Sequence, residues 1–177
     1  MVTKDDIEGF LDRLSVGGGS YKEVEPGLWV VKPSGSLDFN LVVQVSPPVV
    51  VMRVKVIDLP NDSGAVSRLN RRLLELNASD MVHGSYGIEE QSVVITEALE
   101  MAHLDYEEFL AAIESITLAL ASHLREIGSF NSGARSSNGN KPRRKNGGRK
   151  GVVKAVAKAV SKVKNKAVRR ARRRGGR

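Results

Sequence analysis

The chain has 177 residues, with 28 lysines and arginines, 20 aspartates and glutamates, and a formal net charge of +8 at pH 7. It contains no cysteine, which excludes disulfides, thiolate metal ligands and a cysteine nucleophile. No apolar run approaches the roughly 18–20 residues of a membrane span, and the acidic residues among positions 4–13 do not fit a secretory signal, so we expect a cytoplasmic protein.

The first predicted element is a short amphipathic helix from about Thr3 to Leu14. Thr3 is the expected N-cap, and Asp5 and Asp6 would occupy the electropositive first turn. The glycines at 17–19 are expected to end the helix. Its apolar residues recur at helical spacing: Ile7, Phe10, Leu11 and Leu14.

Three strand-like runs follow at residues 28–31, 39–45 and 49–57, and the segments between them are rich in Ser, Gly and Pro. They predict three antiparallel strands in a meander. In the third run the even positions 50–56 are apolar, while Arg53 and Lys55 fall on the other face. We therefore expect one face of this sheet to be partly solvated.

A second helix is predicted over residues 63–77, because Val66, Leu69, Leu73 and Leu76 recur at steps of three and four. A β-hairpin is predicted next, with strands at 81–86 and 91–96. Its turn is expected within residues 87–90.

The last predicted helix begins after Asp105, a suitable N-cap, and is expected to end at Gly128. Its apolar stripe consists of Tyr106, Phe109, Ile113, Ile116, Leu120, Leu124 and Ile127. The predicted order is α-β-β-β-α-β-β-α, an α+β fold in which helices cover one face of an antiparallel sheet.

Four segments within residues 3–127 resemble the YbjN-domain proteins, which share the fold of the type III secretion (Tir-chaperone-like) chaperones. They are Val24–Trp29, Val54–Pro60, Leu73–Asn77 and the pair Leu104-Asp105. The resemblance implies a small, often dimeric module that binds other proteins through its sheet and helices. These motifs contain no catalytic residue, so we expect no enzymatic activity.

Other candidate sites have simpler structural explanations. His83, His103 and His123 are isolated in sequence and lack metal-ligand spacing, so we expect no metal site and no cofactor. The glycines at 17–19 lack the Lys-Ser/Thr of a phosphate-binding loop. The acidic residues between 97 and 108 are expected to surround a solvated helix start, and Trp29 to lie in the core or an interface.

The last part of the chain differs sharply in charge. All 20 acidic residues lie before position 127, so residues 1–129 carry 10 − 20 = −10, whereas residues 130–177 carry 18 − 0 = +18. We predict a domain over 1–128, a flexible linker over 129–150 and a polybasic tail over 151–177. Residues 151–168 have the pattern of a cationic amphipathic helix, which we expect to stay largely unfolded until anions neutralise its lysines.

Nucleic acid is the predicted partner of the tail, because 18 basic residues without one acid suit a phosphate backbone and the release of its counterions. An anionic membrane surface or an acidic protein is the alternative. Binding should lack sequence specificity, since contacts to phosphates do not distinguish bases. The predicted main contacts are Lys154, Lys158, Lys162, Lys166, Arg169, Arg170, Arg172, Arg173 and Arg174, with Arg143, Arg144 and Lys145 secondary. A homodimer would double the number of tails.

Overall fold

The structure, a computed structural model, describes residues 1–132. Its elements are α1 (Lys4–Val16), β1 (Ser20–Glu25), β2 (Leu28–Lys32), β3 (Leu41–Ser46), β4 (Val49–Asp58), α2 (Ser63–Ser79), β5 (Ser85–Glu89), β6 (Ser92–Glu100) and α3 (Tyr106–Ser132). The predicted α+β class, an antiparallel sheet covered by helices, is confirmed. The predicted polybasic tail and the linker beyond position 132 lie outside the described residues.

The six strands form one antiparallel sheet in the order β1-β2-β3-β4-β6-β5. Strands β1 to β4 follow one another as a meander, and α2 then leads to the β5–β6 hairpin. Because β6 pairs with β4, β5 becomes an edge strand and β1 forms the other edge.

The core lies between the sheet and the three helices. Trp29 is fully buried at its centre, as expected, beside Val43 of β3 and Met52 of β4. The helices contribute Ile7 and Leu11 from α1, Leu69 and Leu76 from α2, and Phe109, Ile116 and Ile127 from α3. The predicted capping of α1 is confirmed, because the Thr3 hydroxyl accepts from the Asp6 N–H and the Asp6 carboxylate accepts from the Thr3 N–H.

The meander has four strands rather than the predicted three. Strand β1 was missed because its sequence, SYKEVE, is largely polar and exposed, as edge strands often are. The Pro26-Gly27 pair makes its turn into β2, and Gly27 adopts a φ of 76°, a region that favours glycine. Strand β3 begins at Leu41 rather than at the predicted Phe39.

The predicted hairpin turn at 87–90 is wrong. Gly87 and Ile88 belong to β5, and the turn consists of Glu90 and Gln91, with Glu90 in the left-handed region at a φ of 53°. Sequence reasoning favoured Gly87 for the turn, but Gly87 lies opposite Val94 inside the β5–β6 ladder.

The prediction that Gly128 ends the last helix is also wrong, since α3 continues to Ser132. A glycine within a helix costs about 1 kcal/mol relative to alanine, which tertiary contacts can offset. Here Phe130 packs against the core, and Asn131 Nδ2 donates to the Asp58 carbonyl at 2.7 Å. Within residues 1–132 no helix is long and apolar enough to cross a bilayer.

The core assignment predicts the effect of truncating Phe109. Phe109→Ala should lower the free energy of unfolding by about 3–5 kcal/mol, because it opens a cavity beneath the sheet. Leu118→Ala on the exposed side of the same helix should change it by less than about 0.5 kcal/mol. Urea unfolding followed by circular dichroism measures both, and equal losses would contradict the assignment.

Candidate protein-interaction surfaces

The sheet has two chemically different sides, because successive side chains along a strand point in opposite directions. We call the side covered by α1, α2 and α3 the helical side and the opposite side the open face. Trp29, Val43 and Met52 point to the helical side and join the core. Leu28 and Val42, their neighbours along the strands, do not belong to that core and lie on the open face.

The open face has an apolar centre. Leu28, Val42 and Val94 are only 3%, 7% and 7% exposed, although none of the helices within residues 1–132 covers them. Half-buried Val30 and Val51 extend this centre, because Val30 pairs with Val42 and Val51 pairs with Gln44 on the adjacent strand. The apolar centre therefore runs across β2, β3, β4 and β6.

An ion pair crosses the open face near Val94. Arg53 Nη1 donates to Glu89 Oε1 at 2.9 Å, and both side chains are little more than a quarter exposed. Arg53 lies opposite Thr96 of β6, whereas Glu89 lies on β5, so the pair bridges across β6 at the level of Val94. Gly87, which pairs with Val94, has no side chain to obstruct this bridge.

Three cations on and beside the open face have carboxylate partners nearby. Besides the Arg53 pair, Lys32 Nζ lies 3.0 Å from Asp38 and Lys55 Nζ lies 2.6 Å from Asp58. The hydrogen bond from Lys55 is the main reason why the pKa of Asp58 is lowered. Surface pairs of this kind contribute little to stability, but they leave the open face close to electrically neutral.

The helical side is acidic where α1 meets the start of α3. Phe10 contacts Tyr106 edge to face, with ring centroids 5.9 Å apart, and Arg13 Nη2 lies 3.6 Å from Glu107. Residues 4–16 and 105–114 together carry eight carboxylates and two basic side chains, a net charge of 2 − 8 = −6. The carboxylates are Asp5, Asp6, Glu8, Asp12, Asp105, Glu107, Glu108 and Glu114.

Besides Asp6, which caps α1, two more of these carboxylates have structural roles. Asp105 Oδ1 accepts from the Glu108 N–H at 2.8 Å, which confirms the predicted N-cap of α3. Asp12 accepts a hydrogen bond from the Tyr21 hydroxyl, and this bond is the main reason why the pKa of Tyr21 is raised to about 12.

Exposed leucines are the other unusual feature of the helices. Leu118 on α3 is 67% exposed and Leu74 on α2 is 69% exposed. Glu107, Glu114 and Leu118 are spaced by seven and four residues, so they lie along one outer side of α3. We call this the outer side of α3. It combines an exposed apolar side chain with negative charge.

The predicted apolar stripe of α3 is partly wrong, because Leu124 is 37% exposed while neighbouring His123 is buried. His123 Nδ1 lies 3.1 Å from the Tyr86 hydroxyl, and Nε2 lies 3.4 Å from Asp80 Oδ2. Asn77 completes this junction by accepting from the Tyr86 N–H and donating to the Tyr86 carbonyl. The junction joins the end of α2 to the edge strand β5 and to α3.

These polar contacts give His123 a structural role. Within residues 1–132 no group of three or more His, Asp or Glu side chains is placed to hold a metal ion. The predicted nucleic-acid contacts, from Arg143 to Arg174, all lie outside the described residues.

Comparison with known proteins identifies the family. The family model CesT_Tir_1 matches residues 2–132. The chain belongs to the CesT_Tir_1 family. This match confirms the predicted resemblance to the type III secretion chaperones, and it extends over residues 2–132. No curated protein sequence matches the chain.

Three solved structures are similar to this chain in fold. YbjN from E. coli is 18% identical, with a TM-score of 0.54 over 71% of this chain and 93% of YbjN, a likeness of fold. A chain of the heterodimeric ExoU–SpcU complex, from the type III secretion system of Pseudomonas aeruginosa, is 14% identical, with a TM-score of 0.49 over 68% of this chain and 95% of that one. A chain of the HopA1–SchA chaperone–effector complex is 12% identical, with a TM-score of 0.43 over 75% and 99%.

The buried junction predicts a pH dependence at the alkaline end. Burial raises the pKa of Tyr86 to about 12, above the value near 10 of an unfolded tyrosine. The folded state therefore favours the protonated phenol, and this stabilisation is complete below about pH 10 and lost as the pH rises towards 12. Tyr86→Phe should make the free energy of unfolding fall less steeply between pH 10 and 12. Urea unfolding of both proteins across this range measures the slopes, and identical slopes would contradict the burial of Tyr86.

Proposed function

We propose that this CesT_Tir_1 family member is a non-enzymatic, chaperone-like adaptor. Its body, residues 1–132, binds a protein client, and its basic C-terminal segment, residues 133–177, binds nucleic acid without sequence specificity. This proposal rests on the unequal distribution of charge along the chain, because the body has a net charge of −10 and the basic segment has a net charge of +18. The negatively charged phosphate backbone of a nucleic acid attracts the basic segment and repels the acidic body.

The outer side of α3 is the proposed client site. An exposed leucine beside Glu114 suits a client segment that carries both apolar and basic side chains. Electrostatic complementarity would speed the encounter with such a segment and disfavour acidic competitors. The HopA1–SchA structure is a chaperone–effector complex, and we extend client binding from that class of protein to this chain.

The proposal includes a cytoplasmic homodimer. Two copies would present two basic segments to one nucleic acid molecule, and linked sites bind more tightly than either site alone. The body would then bring its client to the nucleic acid. An anionic membrane surface is the alternative target of the basic segment.

Client binding can be tested with a defined probe. A fluorescent amphipathic peptide made of lysines and leucines should bind the full-length protein, and Leu118→Ser should weaken binding about tenfold, because burying a leucine contributes ~1.5–3 kcal/mol. Leu74→Ser is the matched control, since Leu74 is equally exposed but lies on α2. A peptide with glutamates in place of the lysines should bind poorly. Equal affinities of the two variants would contradict the site, as measured by fluorescence anisotropy.

Nucleic-acid binding can be tested by removing charge from the full-length chain. Replacing the lysines at 154, 158, 162 and 166 with glutamine should weaken duplex DNA binding and make the slope of log K against log salt less steep by about 3–4, since each phosphate contact contributes about 0.9. Lysine-to-arginine changes at the same positions should preserve the slope.

Replacing the four lysines of the body with glutamine is the matched control. It should leave the slope of log K against log salt unchanged. Electrophoretic mobility shifts across a salt series measure these slopes. Tighter binding to anionic vesicles than to DNA, or an effect only from the body lysines, would contradict nucleic acid as the target of the basic segment.

A further inference from the structure

The outward-facing part of α3 carries a regular repeat of side chains. Six positions recur at alternating steps of four and three residues, the spacing along which two α-helices pack as a coiled coil. None of the six is buried. We call these positions the α3 seam: Leu110, Glu114, Thr117, Ala121, Leu124 and Gly128.

Two leucines give the α3 seam its exposed apolar surface. Leu124 is 37% exposed, and Leu118, which flanks the seam one turn beyond Glu114, is 67% exposed. Thr117 lies seven residues before Leu124, and its hydroxyl donates to the Ile113 carbonyl at 2.8 Å. A partner can therefore cover Thr117 without leaving the hydroxyl donor unsatisfied.

Gly128 leaves open space at the C-terminal end of the seam. A Cβ atom added at this position would meet no atom within 4 Å outside the local helix backbone. The packing of residues 1–132 therefore does not require a glycine here, although glycine is unfavourable within a helix. Without a side chain at this position, the backbone of a partner can approach α3 closely.

We infer that the client segment binds as a basic amphipathic α-helix packed along the α3 seam. The inference rests on the proposed client site and specifies the conformation of its occupant. The seam spans about 27 Å in five steps, each about 5.4 Å. A partner helix with the same repeat places a side chain at every step. Residues on one side of an extended segment are about 6.7 Å apart, so a strand would depart from the seam by about 6 Å over its length.

Charge favours a basic partner helix. Residues 105–114 contain four carboxylates and no basic side chain, whereas residues 115–132 contain only Arg125 and Glu126. Negative charge is therefore concentrated along the N-terminal part of the seam, where Glu114 lies. Lysines beside the apolar stripe of a partner helix would lie near these carboxylates, as charged residues flank the contact in coiled coils.

The test compares two fluorescent peptides of identical lysine and leucine content, each about 20 residues long and able to span the seam. In the first, leucines recur at helical steps of three and four, and in the second, leucine and lysine alternate as in a strand. Fluorescence anisotropy measures binding to the full-length protein. The helical peptide should bind about tenfold more tightly, since only its leucines match the seam. The strand-like peptide controls for general attraction to the acidic body.

A glycine substitution tests the close approach of the two helices. Gly128→Gln should weaken binding of the helical peptide about tenfold, because the new side chain obstructs the contact. It should not destabilise the protein, because glycine is a poor helix former and the added atoms meet open space. Gly9→Gln is the matched control, since a Cβ atom at Gly9 in α1 also meets nothing within 4 Å. Gly9→Gln should leave the affinity unchanged, and urea unfolding shows that both variants fold.

The outcomes separate the helical partner from the client site. Equal or tighter binding of the strand-like peptide, still weakened by Leu118→Ser, would overturn the helical partner and keep the site. If neither peptide responds to Leu118→Ser, the client site fails and the inference fails with it. Equal affinities of Gly128→Gln and Gly9→Gln would overturn the seam. Loss of self-association in Gly128→Gln, with peptide binding unchanged, would assign the seam to a contact between copies and also overturn the inference.

Discussion

The alternation of side chains across a single antiparallel sheet is the constraint on which the rest of this structure depends. Trp29 and Leu28 are neighbours in sequence, yet one lies in the core beneath the helices and the other lies on the open face. A shift of one residue in register would exchange these environments along the whole strand. The Pro26-Gly27 turn, Val43 opposite Trp29 and Met52 opposite Val43 hold the register. Because α1, α2 and α3 all cover one side, Leu28, Val42 and Val94 lie on the side of the sheet opposite these helices.

Polar contacts supplement the apolar core at the edge strand β5. The Asn77 amide satisfies both backbone groups of Tyr86 on the edge strand β5, and His123 satisfies the hydroxyl of the same residue. Arg72 and Glu126 form a second link between α2 and α3, with two hydrogen bonds of 2.6 and 3.1 Å. The Arg72–Glu126 pair is partly exposed and contributes modestly, whereas the buried groups of Tyr86 and His123 would be costly without their partners. Together they join α2 to β5 and β5 and α2 to α3.

Much of the fold was predictable because strong local patterns agreed with tertiary burial. Thr3 and Asp105 were correctly predicted as caps, and the stripe of the second helix matches buried Leu69, Leu73 and Leu76. Strand β1 was not predictable from hydropathy, since an edge strand buries little and its sequence stays polar. The end of α3 was missed because local glycine preference opposed the packing of Phe130, and packing prevailed. The partly solvated face that carries Arg53 and Lys55 was predictable from the alternation within β4. The junction of Tyr86 and His123 is not visible in sequence, since it joins residues on separate strands and helices.

The two parts of the chain have different proposed partners: a protein client at the outer side of α3, and nucleic acid at the basic C-terminal segment. The central claim is that the acidic body and the basic segment bind different molecules. The most direct measurement is a titration of uniformly ¹⁵N-labelled full-length protein with a short DNA duplex, followed by amide chemical shifts in NMR spectra. The account predicts shift changes confined to residues 133–177, with the body unchanged. Changes concentrated in residues 1–132, with the basic segment unaffected, would contradict it.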